Sequence, residues 1–317
     1  MLLQESKTVI IPDSFIPDLV IYHNVVEDFA CPDGFAASWV CYRKYSEINP
    51  DLEYVGWTYD KANQGIIPDL TNYKNILVVD FSFKPAFLNY WKERGKAIYV
   101  IDHHEGFLET VKKSSYTLDN LIFDDQECGA TLTWKTLYPG QPIPKLLQYV
   151  RDRDLFIKQL QYCDEVFSGL SKLRRSFNLF DQLLELENID FQLVLDFLVP
   201  YGEPSVLKKR EKIQIYLNRV EFYGDIPVVK LNKSDIALKS DLGEVLSSYY
   251  PFSKFVVIIN KGQPEHIRIR SSIYTYNTNL IELFSDIESI SGLKNAANFK
   301  WYGSDQGLKD LIVQKSV

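Results

Sequence analysis

The sequence predicts an α/β protein whose larger part is a parallel sheet, and three apolar runs carry that prediction. Asp18-Leu-Val-Ile-Tyr22 runs into His23, Asn75-Ile-Leu-Val-Val79 into Asp80, and Ala97-Ile-Tyr-Val-Ile101 into Asp102-His103-His104. Unbroken apolar runs of this kind suit central strands that are covered on both faces. Helix-like stretches lie between them, and such alternation gives a parallel sheet with right-handed crossovers. The three runs deliver a His, an Asp and an Asp-His-His to one sheet edge, where open α/β sheets bind their ligands.

The remaining elements follow in order. Gly34 to Arg43 is helix-like, and Leu52 to Tyr59 can form a strand. Pro85 is placed to start a helix over Ala86 to Arg94, with Gly95 as its stop. Asn120 to Phe123 is a short strand, and Gly129 opens an apolar helix through Trp134 and Leu137. Pro139-Gly140 breaks the chain before a further helix carrying Leu146 to Asp152. Residues 165 to about 220 read as wholly helical, ending in the charged stretch Lys208 to Asn218. Short β-type runs then appear at Pro227–Leu231, Phe255–Ile259 and His266–Arg270. The expected division is a first lobe over 1–164, a helical connector over 165–219 and a smaller mixed α/β lobe over 220–317.

Composition excludes several classes. The chain is long enough for two domains. Cys31, Cys41, Cys128 and Cys163 form no CxxC pair, which suits a reducing compartment and argues against a structural zinc knuckle. Glu5 interrupts the first residues, so a secretory signal is not expected, and no segment is apolar enough for a membrane span. A cytoplasmic protein is the expectation. A net charge of −7 disfavours a duplex-DNA surface but leaves room for a small anionic substrate on a local basic patch. Arg151 with Arg153, Arg174 with Arg175, Lys208 to Arg210, and Arg268 with Arg270 are the candidates.

Aspartate with neutral imidazole suits transition ions such as Mn²⁺, Fe²⁺, Co²⁺ or Zn²⁺. Several such groups on one edge can hold a pair of ions about 3.5–4 Å apart, as phosphoester hydrolases do. A ligating His needs an acceptor on its other nitrogen, and Asp102 is placed to supply one.

The order of these segments resembles the DHH phosphoesterase superfamily. The residues that carry the resemblance are the apolar run into His23, Cys31-Pro-Asp-Gly34, Val78-Val-Asp-Phe-Ser82, Ile101-Asp-His-His104, Cys128-Gly-Ala130 and Arg151-Asp-Arg-Asp-Leu-Phe156. Within it the pattern is most similar to the branch of short-oligoribonucleotide hydrolases. The resemblance implies two lobes facing across a cleft that holds the active site. It implies metal ligands at His23, Asp33, Asp80, His103 and Asp152, with Asp80 bridging and with Cys31 and Asp28 as alternatives for a further ligand. Asp154, beside them, reads as an ion-pair partner of a nearby arginine. Asp102 and His104 would be catalytic, His104 beside the scissile phosphate. Arg270, Ser271, Ser272, Lys294 and Asn295 would bind substrate.

The implied activity is hydrolysis of short single-stranded oligonucleotides or small nucleotides by a hydroxide activated between two Mn²⁺ ions, with Mg²⁺, Co²⁺ or Fe²⁺ as substitutes. Two departures from the family pattern stand out. Asn24 to Ala30 lengthens the spacing between His23 and Cys31. In the C-terminal lobe Leu293 stands for the usual histidine and Asn298 for a glycine. They motivate the alternative of a DHH-fold nucleotide-binding or scaffold protein with a weakened site.

Overall fold

The computed structural model describes residues 9–26, 29–104, 107, 111, 120–173, 175–261, 265–271, 278–293 and 295–316. Asp28, Ser272 and Lys294 lie outside these described residues. The chain divides into two compact units, Met1–Val206 and Leu207–Val317.

The first unit contains β1 (Leu19–Val26), β2 (Phe29–Ala30), α1 (Pro32–Tyr45), β3 (Glu53–Trp57), α2 (Tyr59–Asn63), β4 (Asn75–Val79), α3 (Pro85–Lys92), β5 (Ala97–Asp102) and β6 (Leu121–Phe123). Then come α4 (Gly129–Leu137), α5 (Lys145–Asp154), α6 (Cys163–Lys172), α7 (Phe177–Ile189) and α8 (Phe191–Leu217), whose residues from Leu207 belong to the second unit. Five strands pair in parallel in the order β3-β1-β4-β5-β6. The direction of winding therefore reverses between β1 and β4, and ligands of open α/β sheets collect at that reversal.

The apolar runs are unbroken because both sheet faces are covered. Val20, Leu77, Val79 and Ile101 pack into one core with Trp39, Trp134 and Leu146. Their strand neighbours Leu19, Ile21, Ile76, Val78 and Val100 pack into another with Phe81, Phe83 and Trp91. α1 starts at Pro32, where a missing N–H costs nothing, after an extended Cys31. Its small residues Ala36, Ala37 and Ser38 are buried and let it approach the sheet closely.

The lengthened segment after His23 forms a hairpin, because β1 runs on to Val26 and pairs antiparallel with β2 across a register shift. The helices after residue 165 belong to the first unit as far as Val206. Val166, Leu170, Phe180, Leu183, Val194 and Leu198 share a core with Trp39 and Leu147. Their apolar stripes are the outer wall of the sheet's helical layer, which is why they read as amphipathic.

The second unit holds β7 (Glu221–Tyr223), β8 (Ile226–Leu231), a 3₁₀ turn at Lys233–Leu238, α9 (Lys239–Tyr249), β9 (Phe255–Asn260), β10 (Glu265–Ser271) and α10 (Leu280–Leu283). It ends with β11 (Ser291–Leu293), β12 (Ala296–Trp301) and α11 (Asp305–Ser316). Its mixed sheet has the order β11-β12-β10-β9-β8-β7, with β8 and β9 parallel and the other pairs antiparallel. One face packs Val257, Ile267, Ile269 and Phe299 against Leu280, Leu308 and Ile312. The other packs Val229, Val256 and Ile258 against Leu242 and Leu246 of α9 and Ile213 and Tyr216 of α8. Among the described residues no helix is long and apolar enough to cross a membrane.

Candidate metal centre

β1 carries His23, β4 ends one residue before Asp80, and β5 ends on Asp102, so the sheet itself gathers these side chains at the winding reversal. Asp80 takes the left-handed conformation, with φ of 53°, which an L residue adopts only at a cost of about 1–3 kcal/mol. Its N–H donates to the Ile101 carbonyl at 2.9 Å. The sheet ladder thus fixes Asp80 while its backbone turns the carboxylate across the strand ends.

One oxygen of Asp80 serves each side. Oδ1 lies 3.1 Å from His103 Nε2, and Oδ2 lies 3.5 Å from His23 Nδ1. Among the described residues three overlapping donor groups stand around these two oxygens, one of them Asp80, Asp102, His103 and His104. Ligand atoms of His23, Cys31 and Asp80 lie within 4.8 Å of one another, and so do those of Asp33, His103 and Asp154. His103 Nε2 is 3.6 Å from Asp33 Oδ2 and 3.7 Å from Asp154 Oδ2. Asp33 sits in the first turn of α1 and accepts N–H bonds from Gly129 (2.6 Å) and Ala130 (2.8 Å) at the start of α4. Two helix N-termini, positive ends of their dipoles, therefore flank this carboxylate.

Two glycines make the crowding possible. A Cβ at Gly129 would overlap Asp80 Cβ and come within 2.7 Å of its Cγ and Oδ1. A Cβ at Gly34 would come within 2.5 Å of the His23 carbonyl oxygen.

Asp102 is saturated by protein donors. It accepts Ser82 Oγ at 2.5 Å, the N–H groups of His103 and His104 at 2.8 and 3.3 Å, and sits 2.7 Å from His104 Nδ1. It orients both histidines and leaves His104 Nε2 as the ring's second functional nitrogen. Tyr59 and His23 pack edge-on to the His104 ring, at 5.5 and 5.9 Å between centroids.

The charges are balanced unevenly. Burial, with the Asp80 and Asp154 charges, holds Asp33 well above the usual carboxyl range. Asp154 is raised too, by burial outweighing the attraction of His103. Burial disfavours ionised Asp80, but hydrogen bonds to His103 and His23 outweigh it and hold the group ionised to low pH. His103 rises to about 10 although burial opposes it, because Asp80 accepts its proton and Asp154 and Asp33 face it. Burial opposes His104 as well, and the Asp102 charge and hydrogen bond raise it to about 9. Burial and the three nearby aspartates hold the Cys31 thiol protonated.

This donor set fits divalent ions. Asp80 Oδ2 is buried without a hydrogen-bond partner, and an unpaired buried carboxylate oxygen is costly. Among the described residues, histidines are the only ion-pair partners of Asp33, Asp80 and Asp154. A cation in each group would relieve both the orphan oxygen and the mutual repulsion of the carboxylates.

Of the residues the sequence singled out, the structure brings His23, Cys31, Asp33, Asp80 and His103 together. It exchanges Asp152 for Asp154. The Asp152 carboxylate accepts the N–H groups of Gln159 and Leu160, both at 3.0 Å, and closes the turn after α5. Residues two apart lie about 200° around a helix, so only one of the pair can join the cluster. Asp154 is expected from the sequence to pair with a nearby arginine; the adjacent Arg153 pairs with Asp164 at 2.7 Å, and the ion-pair partner of Asp154 among the described residues is His103. In the second unit, Ser271 is buried and its N–H donates to the Asn295 carbonyl at 3.0 Å. That carbonyl is also the partner of the Ser271 hydroxyl, at 3.4 Å. Tyr59 and Ser82 had no signal beyond their nearness to the motifs.

No family model matches the chain. A curated relative, uncharacterized protein R106 of Acanthamoeba polyphaga mimivirus, is 24% identical over 246 residues, 75% of this chain and 56% of that protein. The chain thus spans little more than half the length of that relative. Among solved structures, a pGpG-specific phosphodiesterase, PggH from Vibrio cholerae, superposes with a TM-score of 0.52 at 13% identity, covering 94% of this chain and 98% of that one. RecJ from Thermus thermophilus in complex with Mn²⁺ gives 0.55 at 12% identity, covering 94% of this chain and 51% of that one. An exopolyphosphatase-related protein from Bacteroides fragilis gives 0.52 at 13% identity, over 94% and 92%. The chain has the fold of these proteins. That fold is α/β, with a parallel N-terminal sheet and a mixed C-terminal one.

Proposed function

We propose that the protein is a metal-dependent phosphoester hydrolase acting on short oligonucleotides or small nucleotides. The observation that carries this reading is the pair of donor groups joined through Asp80, with one carboxylate oxygen toward each. His23, Cys31 and Asp80 would hold one ion, and Asp33, His103, Asp154 and Asp80 the other. Bound there, Mn²⁺ or a related ion supplies an activated water and neutralises charge on the attacked phosphoryl group.

The chain's own residues do the rest. Asp102 fixes the ring of His104 through Nδ1, so Nε2 is held ready to meet a phosphoryl or leaving-group oxygen. Asp102 is then a positioning residue, tied down in turn by Ser82. Arg270 is the proposed phosphate grip, since a guanidinium fork matches phosphate oxygens, with Ser272 two residues on and Lys294, next to Asn295 in sequence, as further proposed contacts. Ser271 and the Asn295 carbonyl act on each other and fasten β10 to the turn before β12. The named substrate of PggH, pGpG, supports a short nucleotide chain as substrate.

The test is incubation with Mn²⁺ and 5′-labelled RNAs of two to five nucleotides beside an Asp80→Asn control. Mn²⁺-dependent cleavage that the control lacks is the expected result. Metal uptake without cleavage of any phosphoester would overturn the reading in favour of a binding protein.

A further inference from the structure

We propose that Lys239 and Arg268 form an anion site in the second unit, next to Arg270, that takes a phosphoryl group other than the one being cut. That the anion belongs to a nucleotide rests on the function proposed above; the site itself does not.

The placement comes from the sheet. β10 alternates, with Ile267 and Ile269 in the core beneath α10 and α11. Arg268 and Arg270 therefore share the opposite face, on which β9 contributes Ile258 and Val256 under α9. Across the other edge, Arg268 stands opposite Asn298 and Arg270 opposite Ala296. The apolar layer thus stops at β9, and the next row on this face is Arg268 and Arg270, whose backbones are about 6.6 Å apart along the strand.

Arg268 and Lys239 lack counter-charge. Arg268 Nη1 donates to Asn298 Oδ1 at 3.3 Å, while its Nε is buried with no partner. A guanidinium has five N–H donors, and the buried Nε is one left without an acceptor among the described residues. Among the described residues no carboxylate pairs with Arg268 or Lys239, and nearby Asp241 is engaged by Lys209 at 3.1 Å. Lys239 is the first residue of α9, the helix that packs on this face through Leu242 and Leu246 and meets Arg270 at Gly243. Burial and the Arg270 charge lower Arg268 to about 10, and burial and the Arg268 charge lower Lys239. Covered like charges without an anion destabilise a fold. A phosphoryl group would satisfy Nε and offset both charges. Asn298 stands where the family pattern has a glycine, and its Oδ1 accepts a hydrogen bond from Arg268.

The experiment uses the full chain in chelator, without divalent ions, so that hydrolysis makes no contribution. A 5′-phosphorylated dinucleotide, its 5′-hydroxyl counterpart and inorganic phosphate are titrated by calorimetry. The wild type should bind the phosphorylated form about tenfold or more tightly. Arg268→Gln and Lys239→Gln should each reduce that preference while leaving the 5′-hydroxyl form unaffected. Without ligand, Arg268→Gln should melt at or above the wild-type temperature, because an uncompensated cation is gone, whereas a purely structural arginine would give a lower one. Inorganic phosphate should raise the wild-type midpoint and not that of Arg268→Gln. Equal affinities for the two dinucleotides in the wild type, or a preference that survives both substitutions, would overturn the proposal. A preference without Mn²⁺-dependent turnover would leave this site standing and sink the hydrolase reading.

Discussion

Replacing Gly129 with alanine tests how the centre is held together. The new Cβ would stand 2.7 Å from Asp80 Cγ and Oδ1, against about 3.5–4.0 Å for comfortable contact, so something must retreat by about 1 Å. Asp80 is badly placed to do so. It is buried, its N–H is bonded to Ile101, its Oδ1 faces His103 at 3.1 Å and its backbone sits at φ of 53°. Overpacking of this kind costs about 1–3 kcal/mol. Gly→Ala in a helix returns up to about 1 kcal/mol, leaving a net loss of about 1–2 kcal/mol. For a unit of this size that lowers the calorimetric midpoint by roughly 2–8 °C. Manganese uptake, followed by equilibrium dialysis, should fall in parallel because Asp80 belongs to the donor group of His23 and faces His103 of the Asp33 group. Gly243→Ala in α9 is the control: its Cβ would meet nothing nearer than 3.5 Å, so it should be neutral or slightly stabilising. A Gly129→Ala protein with unchanged midpoint and full manganese uptake would refute the packing argument.

Three further outcomes are expected. Asp154→Asn should weaken Mn²⁺ binding about tenfold or more, whereas Asp152→Asn should keep the metal and lose about 1–2 kcal/mol of stability from its two amide bonds; dialysis and urea unfolding separate the two. Cys31→Asp should shift preference from Zn²⁺ and Co²⁺ toward Mn²⁺, since carboxylate is a harder donor than thiolate. The Co²⁺-loaded wild type should show a near-ultraviolet thiolate band that Cys31→Asp lacks, and identical spectra would remove Cys31 from the coordination shell. Glu127 pairs with Lys135 at 2.6 Å and Arg151 at 3.2 Å. Burial opposes its ionisation, but these partners hold it below its ordinary value of 4.5. A carboxyl lowered on folding stabilises fully above its unfolded value and loses that contribution as pH falls through the folded one. Glu127→Gln should therefore cost about 1 kcal/mol at neutral pH and progressively less below about pH 4. A pH-independent difference in urea midpoint would contradict it.

The parallel sheet, its helices and most of the side chains gathered at the strand ends were legible in the sequence because each depends on short-range pattern. Apolar runs mark strands buried on both faces, and a His or Asp after such a run must lie at the strand end. His23, Asp80 and Asp102-His103-His104 needed nothing more. Tertiary structure decided what local pattern leaves degenerate. Asp152 and Asp154 are equivalent in the string Arg-Asp-Arg-Asp, and only the rotation of α5 against its neighbours sends one to the centre and the other to the amides of Gln159 and Leu160. The same holds for residues 165–206, whose amphipathic stripes announce helices without saying which surface they cover. That choice rests on contacts with Trp39 and Leu147, more than a hundred residues away for the first of them, and long-range packing of this kind has no signature in sequence spacing.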